Sequence, residues 1–401
     1  MLELDAGLEF QPENDEEFFS LLPDRPAVCL IEARIENAEP HLIRTANLRR
    51  RLQRLLGPLD PASKRLNLRD FARQLRYRVT SSAFEQSLTY YRIARKIFPK
   101  KYRGLMRLRP SPLLKINLKN AYPRCYVTRH ISVNEHGVPT GGIYYGPFPS
   151  RRAAQAYADS MLDFFKVRRC QIKIRRDPSF PGCIYSEMKM CLAPCFAGCT
   201  KEEYDVEVNR LVGFLETGGD SLRSTYEQER ERASEDLDFE RAAAIHKKLE
   251  KLDDALRAGP EIARRVQDLD AVILQRMAEE QTIGVFGVSG GRLAEPFALR
   301  FGDTSQPRSA EETVRDYLEA MVSAPPAAAN LRHSAAELGE HLRLVARWFY
   351  SNPREGEIFF REKDWPYRRI LRACSRLLAP SKEDANELDK TRDNQTGKEN
   401  Q

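Results

Sequence analysis

Between Gln86 and Asn134 the sequence has no aspartate or glutamate. That absence excludes local neutralisation of the cations this stretch carries. No segment approaches 18 uninterrupted apolar residues, which excludes a membrane-spanning helix. The N-terminus, MLELDAGLEF, has neither a basic start nor an apolar core of signal-peptide length. A soluble, cytoplasmic protein with no membrane partner is therefore expected. Nor is there an internal repeat, so a solenoid is excluded. Cytosolic thiols are held reduced, so the eight cysteines are not expected to form disulfides, and clustered ones are expected to bind metal.

What is present begins with charge. Sixty-five Lys and Arg against 58 Asp and Glu give a net charge of +7. The excess is concentrated. Arg92, Arg95, Lys96, Lys100, Lys101, Arg103, Arg107 and Arg109 fall within 18 residues of the acid-free stretch. Such a block repels itself unless a polyanion neutralises it; a plain solvated face is the alternative. Arg44, Arg49, Arg50, Arg51 and Arg54 precede it, and Lys166, Arg168, Arg169, Lys173, Arg175 and Arg176 follow it. Three clusters favour a polyanionic partner over a plain solvated face.

At 401 residues the chain should divide into two to four compact units. Ala27 to Ile35 has the length of a buried strand, and His41 to Ile43 offers a second. Leu48, Leu52, Leu55 and Leu56 share one side of a helix opening at Ala46. Residues 68 to 98 suggest a helix, a short strand over Tyr77 to Thr80, and a second helix ended by Pro99. Strand-like runs follow at LLKINL and CYVTR. Over 151 to 166, Ala154, Tyr157, Ala158, Met161, Leu162 and Phe165 recur at helical spacing. Charged helices are expected over 201 to 257, broken at Thr217-Gly-Gly-Asp220. Residues 268 to 301 suggest a small hairpin sheet turning at Ser289-Gly-Gly291.

Cys170, Cys183, Cys191 and Cys195 lie within 26 residues. Four soft thiolates suit zinc or a cubane iron–sulfur cluster, and spacing alone leaves both open. Zinc ribbons offer two close pairs; here only Cys191 and Cys195 are close, which weakly favours the cluster. Cys199, four residues beyond Cys195, could replace a ligand. Cys29, Cys125 and Cys374 fit ordinary core packing.

The run Tyr145-Gly-Pro-Phe-Pro-Ser150, the Arg169-Cys170 pair, Cys183 and Cys191-Leu-Ala-Pro-Cys195 resemble the central region of the UvrC family, the C subunit of the bacterial excision nuclease. The resemblance implies a 4Fe-4S cluster on Cys170, Cys183, Cys191 and Cys195. Leu237-Asp-Phe-Glu-Arg-Ala-Ala243, followed by Ile245 and Leu249, resembles that family's UVR motif, a helical hairpin through which UvrC meets UvrB. A UvrB-like helicase is thus the implied partner, through Leu237, Phe239, Glu240, Ala243, Ile245 and Leu249. His246 and Lys247 stand where the family typically carries Arg and Asp.

The N-terminal region resembles the family's GIY-YIG nuclease, which activates water with tyrosine hydroxyls and holds one divalent metal on a helix-borne Glu. Here Cys29 and His41 occupy the two tyrosine positions, Arg44 stands for a Lys, Arg51 matches the catalytic Arg, and Tyr90 takes the place of the Glu. A phenol cannot replace a carboxylate on a hard cation, so a divalent metal is not expected there and one-metal hydrolysis should fail. Glu85 is the nearest acid on that helix but lies about 500° of rotation away. Full-length family members continue with an RNase H-like domain and a helix-hairpin-helix pair, which need more than the roughly 130 residues after Asp270. Both incision centres are expected to be lost.

The resulting expectation is an α+β multidomain chain: a polar lead-in over 1–21, a degenerate GIY-YIG-like small α/β sandwich over 22–105, a strand/helix connector over 106–165, a cysteine-rich segment over 166–200 and a helical region with the UVR hairpin over 201–260. A small β region over 261–322, a linker over 323–330, a short C-terminal helical unit over 331–380 and a disordered tail over 381–401 complete it. The function expected is a UvrC-like excision-repair protein that binds DNA through Arg49, Arg92, Arg95, Lys96, Lys100, Lys101, Arg103 and Arg107. Two alternatives stand beside it: an endonuclease working with a rearranged site of Cys29, His41, Arg44 and Arg51, and a redox-responsive scaffold.

Overall fold

The computed structural model describes residues 4–58, 64–302, 309–323 and 335–379. The expected tail over 381–401, and the expected linker apart from Ser323, lie outside the described residues.

The first sheet is antiparallel throughout, in the order β1-β4-β2-β3. Its strands are β1 (Ala6–Glu9), β2 (Ala27–Ala33), β3 (His41–Thr45) and β4 (Ala72–Val79), interleaved with α1 (Asp15–Leu21) and α2 (Leu48–Leu56) and followed by α3 (Ala83–Ile97) and α4 (Tyr102–Met106). Leu48, Leu52, Leu55 and Leu56 of α2 bury against Phe10, Phe18, Phe19, Cys29 and Ile31. Each such side chain contributes about 1.5–3 kcal/mol when buried. Asn47 starts the helix by accepting the Arg50 N–H at 2.8 Å, worth about 1 kcal/mol against Ala. On the opposite face of the sheet, Val28 packs with Phe84, Leu88 and Tyr91 of α3.

Two expectations are corrected here. The lead-in is structured: β1 pairs with β4, and α1 inserts two phenylalanines into the core. The helix expected from residue 68 is instead strand β4. Its pairing with β2 shifts register where Ala33 meets Ala72 and Glu32 meets Gln74, so Arg73 is extra. A bulge of this kind puts Ala72 and Leu75 on the core at a spacing of three, which imitates a helix.

The middle unit contains β5 (Leu113–Ile116), β6 (Cys125–Thr128), β7 (Ser132–Val133), β8 (Pro139–Thr140), β9 (Ile143–Gly146) and α5 (Arg151–Leu162). After the one-turn α6 (Ile184–Glu187) come α7 (Lys201–Glu216), α8 (Asp220–Glu235) and α9 (Phe239–Arg257). The strand β10 (Arg264–Arg265) then closes the sheet in the order β10-β9-β5-β6. Ala154, Ala158, Met161 and Leu162 of α5 share one core with Tyr204, Leu211, Phe214, Ile245 and Leu249. Thr200 and Glu203 form a capping box at the start of α7.

The third sheet joins β11 (Ala271–Arg276), β12 (Thr282–Ser289), β13 (Arg292–Leu293), β14 (Phe297–Arg300) and, after α10 (Ala310–Ser323) and α11 (Ala335–Phe349), β15 (Glu357–Phe360). The chain then enters α12 (Tyr367–Leu378). The expected helical unit over 331–380 is therefore not separate: β15 pairs with β11 and completes the sheet begun before residue 300. Strand β11 is buried on both faces. Val272 and Leu274 meet α10 and α12, while Ile273 faces Phe286, Leu342 and Trp348. Helices α3 and α11 consequently form one layer between the first and third sheets, with Tyr144 of β9 in the same core.

Candidate functional site

Pairing of β2 with β3 sets Val28 opposite Arg44, Cys29 opposite Ile43 and Ile31 opposite His41. Side chains alternate across a sheet, so Cys29 and His41 take the α2 face and Arg44 the α3 face. Cys29 is fully buried, and burial pushes its thiol well above its ordinary value, leaving no thiolate. His41 meets the edge of Phe71, with ring centroids 5.1 Å apart. On the other face, Arg44 donates to Ser87 Oγ at 3.3 Å and lies over Tyr90, 5.7 Å from its centroid. Burial raises the Tyr90 phenol, against the lowering effect of Arg44. Arg51 is half-buried on α2. The five positions thus divide between two faces. Glu85 is buried and committed elsewhere, accepting the Ser81 N–H at 2.8 Å with Arg78 3.8 Å away.

The four expected metal ligands lie in the segment between α5 and α7, and Cys170, Cys183 and Cys195 are near enough to Cys191 to act on its charge. Burial raises the Cys191 thiol to about 11, the Ala193 N–H opposes that rise, and the charges of Cys170, Cys183 and Cys195 add to it. Cys195 is raised by burial and by Cys183 and Cys170. Donors already point at sulfur: the Ala193 N–H lies 3.3 Å from Cys191 Sγ, and Arg168 Nη1 lies 3.8 Å from Cys170 Sγ. Arg168 is itself fixed by the carbonyls of Tyr122 at 2.8 Å and Ile172 at 3.0 Å. Such a soft, hydrogen-bonded donor set fits a thiolate-ligated centre. No group of three or more His, Cys, Asp or Glu among the described residues is arranged to hold a metal ion. Cys199 is buried beside the α7 core, its carbonyl accepting from Arg176 at 3.0 Å. Cys125 and Cys374 are buried in core clusters.

Helices α8 and α9 form an antiparallel hairpin. Leu222, Tyr226 and Ala233 of α8 pack with Ile245, Leu249 and Leu252 of α9, and Arg223 pairs with Asp253. Ile245 and Leu249 therefore hold the hairpin together and are not available to a partner, a correction to their expected role. The tip differs. Leu237 is 71% exposed and Phe239 66%, with Glu240 and Ala243 exposed beside them. Leu237 also sits at a φ of 58°, a left-handed conformation that costs a leucine about 1 kcal/mol or more. Asp238 caps α9 by accepting the Arg241 N–H at 3.0 Å.

The basic block is largely spoken for. Arg92 pairs with Glu295 and donates to the Ala294 carbonyl at 2.9 Å, Arg95 pairs with Glu337, and Arg103 meets Glu340 at 2.6 Å. Glu340, only 3% exposed, also accepts from the hydroxyls of Tyr91 at 2.8 Å and Tyr102 at 2.9 Å. Lys101 reaches Glu39 at 2.7 Å, and Arg49 donates to the Leu22 carbonyl at 2.8 Å. Of the residues expected to meet DNA, Lys96, Lys100 and Arg107 are exposed without an ion pair among the described residues. Sequence reasoning missed Glu337, Glu340 and His341 of α11, whose only signal was acids and a histidine on an apolar helix. His341 Nδ1 accepts the Leu293 N–H at 3.1 Å, and burial lowers its pKa to about 3.

Two family profiles match the chain: one described as the UvrC/Cho excinuclease middle domain over residues 111–214, the other as the UvrB/uvrC motif over residues 220–255. Across these residues the chain is similar to the UvrC family. The middle-domain match spans all four cysteines, and the UVR match spans α8 and most of α9 with the exposed tip between them. The chain is 30% identical to the UvrABC system protein C of Carboxydothermus hydrogenoformans, over 66% of this chain and 42% of that protein. To the protein of the same name from Acetivibrio thermocellus it is 25% identical, over 68% and 43% respectively. For Thermoanaerobacter sp. the figures are 26%, 70% and 45%. The chain thus spans less than half the length of these UvrC relatives. No solved structure matches it.

Proposed function

We propose that the chain is an excision-repair protein of UvrC type that binds DNA and docks a UvrB-like helicase, with an inactive GIY-YIG-like centre in its first sheet. The observation that carries the reading is the hairpin tip: Leu237 and Phe239 are exposed within the UVR match, and Leu237 is held in a strained turn. Exposed apolar side chains at a strained position favour a docking role over a packing one. Isothermal titration against purified UvrB tests it. The double variant Leu237→Ser/Phe239→Ser should weaken binding at least about tenfold, by about 1.4 kcal/mol. Equal affinity would remove the docking role.

The inactive-centre reading is supported by the division of Cys29 and His41 from Arg44 and Tyr90 across the sheet. With Mg or Mn, no cleavage of a damaged duplex is expected; cleavage abolished by Arg51→Ala would overturn the reading.

Cys170, Cys183, Cys191 and Cys195 are assigned to a 4Fe-4S cluster, with zinc as the other metal their chemistry suits. Such a cluster supplies a cross-link between the segments bearing Cys170 and Cys191 and a redox-active centre. Arg168 and the Ala193 N–H would offset its thiolate charge. Iron and inorganic sulfide measured on anaerobically purified protein test the assignment, and zinc alone would replace it.

A further inference from the structure

Four arginines from three parts of the chain converge at one rim of the core shared by α3 and α11. Arg343 and Arg347 lie one helical turn apart on α11. The neighbouring charge on Arg343 is Arg129, just beyond β6, and the neighbouring charges on Arg347 are Arg343 and Arg44. Packing explains the convergence. Leu42, which shares a face of β3 with Arg44, contacts the same core as Ile131, two residues beyond Arg129, and as Leu344 and Val345 between the α11 arginines.

Among the described residues, no carboxylate pairs with this group. Burial and like charge both lower the pKa values of Arg343 and Arg347. Arg343 Nε is buried with no hydrogen-bond partner. A solvated surface arginine would expose that atom, and a structural one would have an acceptor there. Half-burying guanidiniums among other cations is unfavourable unless an anion completes the set. Arg95 of α3 and Arg103 of α4, by contrast, are each given a buried glutamate by the same helix α11.

We propose that Arg44, Arg129, Arg343 and Arg347 form a site for the phosphodiester backbone of a nucleic acid. Guanidinium forks match phosphate oxygens, and four cations drawn from a strand, a loop and a helix suit a run of phosphates better than one small anion. The site rests on the DNA-binding reading above and assigns that binding to arginines from β3, the segment after β6 and α11.

Fluorescence anisotropy with a labelled duplex over a salt series tests it, on the full chain and its fourfold Arg→Gln variant. Each lost phosphate contact should reduce the slope of log affinity against log salt by about 0.9, so the fourfold variant should lose roughly 3 to 4. Its affinity at low salt should fall at least about a hundredfold. Inorganic phosphate should raise the melting temperature of the native chain and not that of the variant. Should the fourfold variant fail to fold, Arg129→Gln and Arg347→Gln singly carry the same test, each losing about 0.9 in slope. A native chain that binds DNA while the variants keep its slope overturns the site alone. A native chain with no DNA affinity overturns the DNA-binding reading and the site with it.

Discussion

Helix α3 and helix α11 meet in two regions with the same cations and opposite electrostatics. Toward α4, Arg95 and Arg103 are answered by Glu337 and Glu340, and two tyrosine hydroxyls complete the Glu340 carboxylate. Toward β3, the charges acting on Arg343 and Arg347 are those of Arg129, Arg44 and, on Arg347, Arg343 itself, and none of the four has an ion pair among the described residues. The first arrangement is a clasp between the N- and C-terminal parts of the chain. The second leaves charge in need of a partner. Density of Lys and Arg along the sequence therefore does not locate an anion site; the supply of carboxylates in space does.

The sharpest way to break this comparison is at the clasp. Glu340→Ala would leave the Tyr91 and Tyr102 hydroxyls without their acceptor, each costing about 1–3 kcal/mol. Arg103 is 57% exposed and should recover solvent, so its share is discounted. A loss of about 3 kcal/mol, read from urea unfolding of the C-terminal half, is expected, and a loss under about 1 would mean that the carboxylate is not the clasp.

Acid should come next in effect. His341 is neutral in the fold, held there by burial and by Arg292, Arg92 and Arg95 against the opposing pull of Glu337. Its folded pKa of about 3 lies below the unfolded value near 6.5. The unfolded chain therefore binds the extra proton, and this contribution is complete above about pH 6.5 and declines as pH falls toward 3. Stability should drop by up to about 1.4 kcal/mol per pH unit between pH 6.5 and 5, roughly 2 kcal/mol in total. His341→Gln should flatten that decline, and an unchanged profile would place its cause elsewhere.

Arg347→Gln should act with the opposite sign. Removing a half-buried cation from among like charges should raise stability by a few tenths to about 1 kcal/mol while weakening DNA binding, a trade typical of functional sites. A destabilised variant would mean that the guanidinium has a structural partner. Smallest of all, Lys96→Gln should leave stability within about 0.5 kcal/mol. A larger shift would place this exposed lysine inside the clasp.

Much of the architecture was legible because it is local. Ala27 to Ile35 announced β2, the spacing of Ala154, Ala158 and Met161 announced α5, and Thr217 to Asp220 marked the break between α7 and α8. Strand β4 was hidden by its bulge at Arg73, and β15 by the helices around it. The cysteines could be grouped from sequence because they lie within 26 residues. Partners of the basic block could not, since Glu295, Glu337 and Glu340 lie some 200 residues or more away along the chain. For the same reason Arg129, Arg343 and Arg347 carried no signal, and Arg44 was read only as a nuclease remnant.

Arginine-specific labelling read by mass spectrometry, with and without duplex DNA, tests the comparison most directly. DNA should protect Arg44 and Arg129, both exposed, together with Arg347, while labelling of Arg92, Arg95 and Arg103 stays as it was. Protection confined to the 92–103 arginines, with Arg44 and Arg129 labelled as before, would contradict the account.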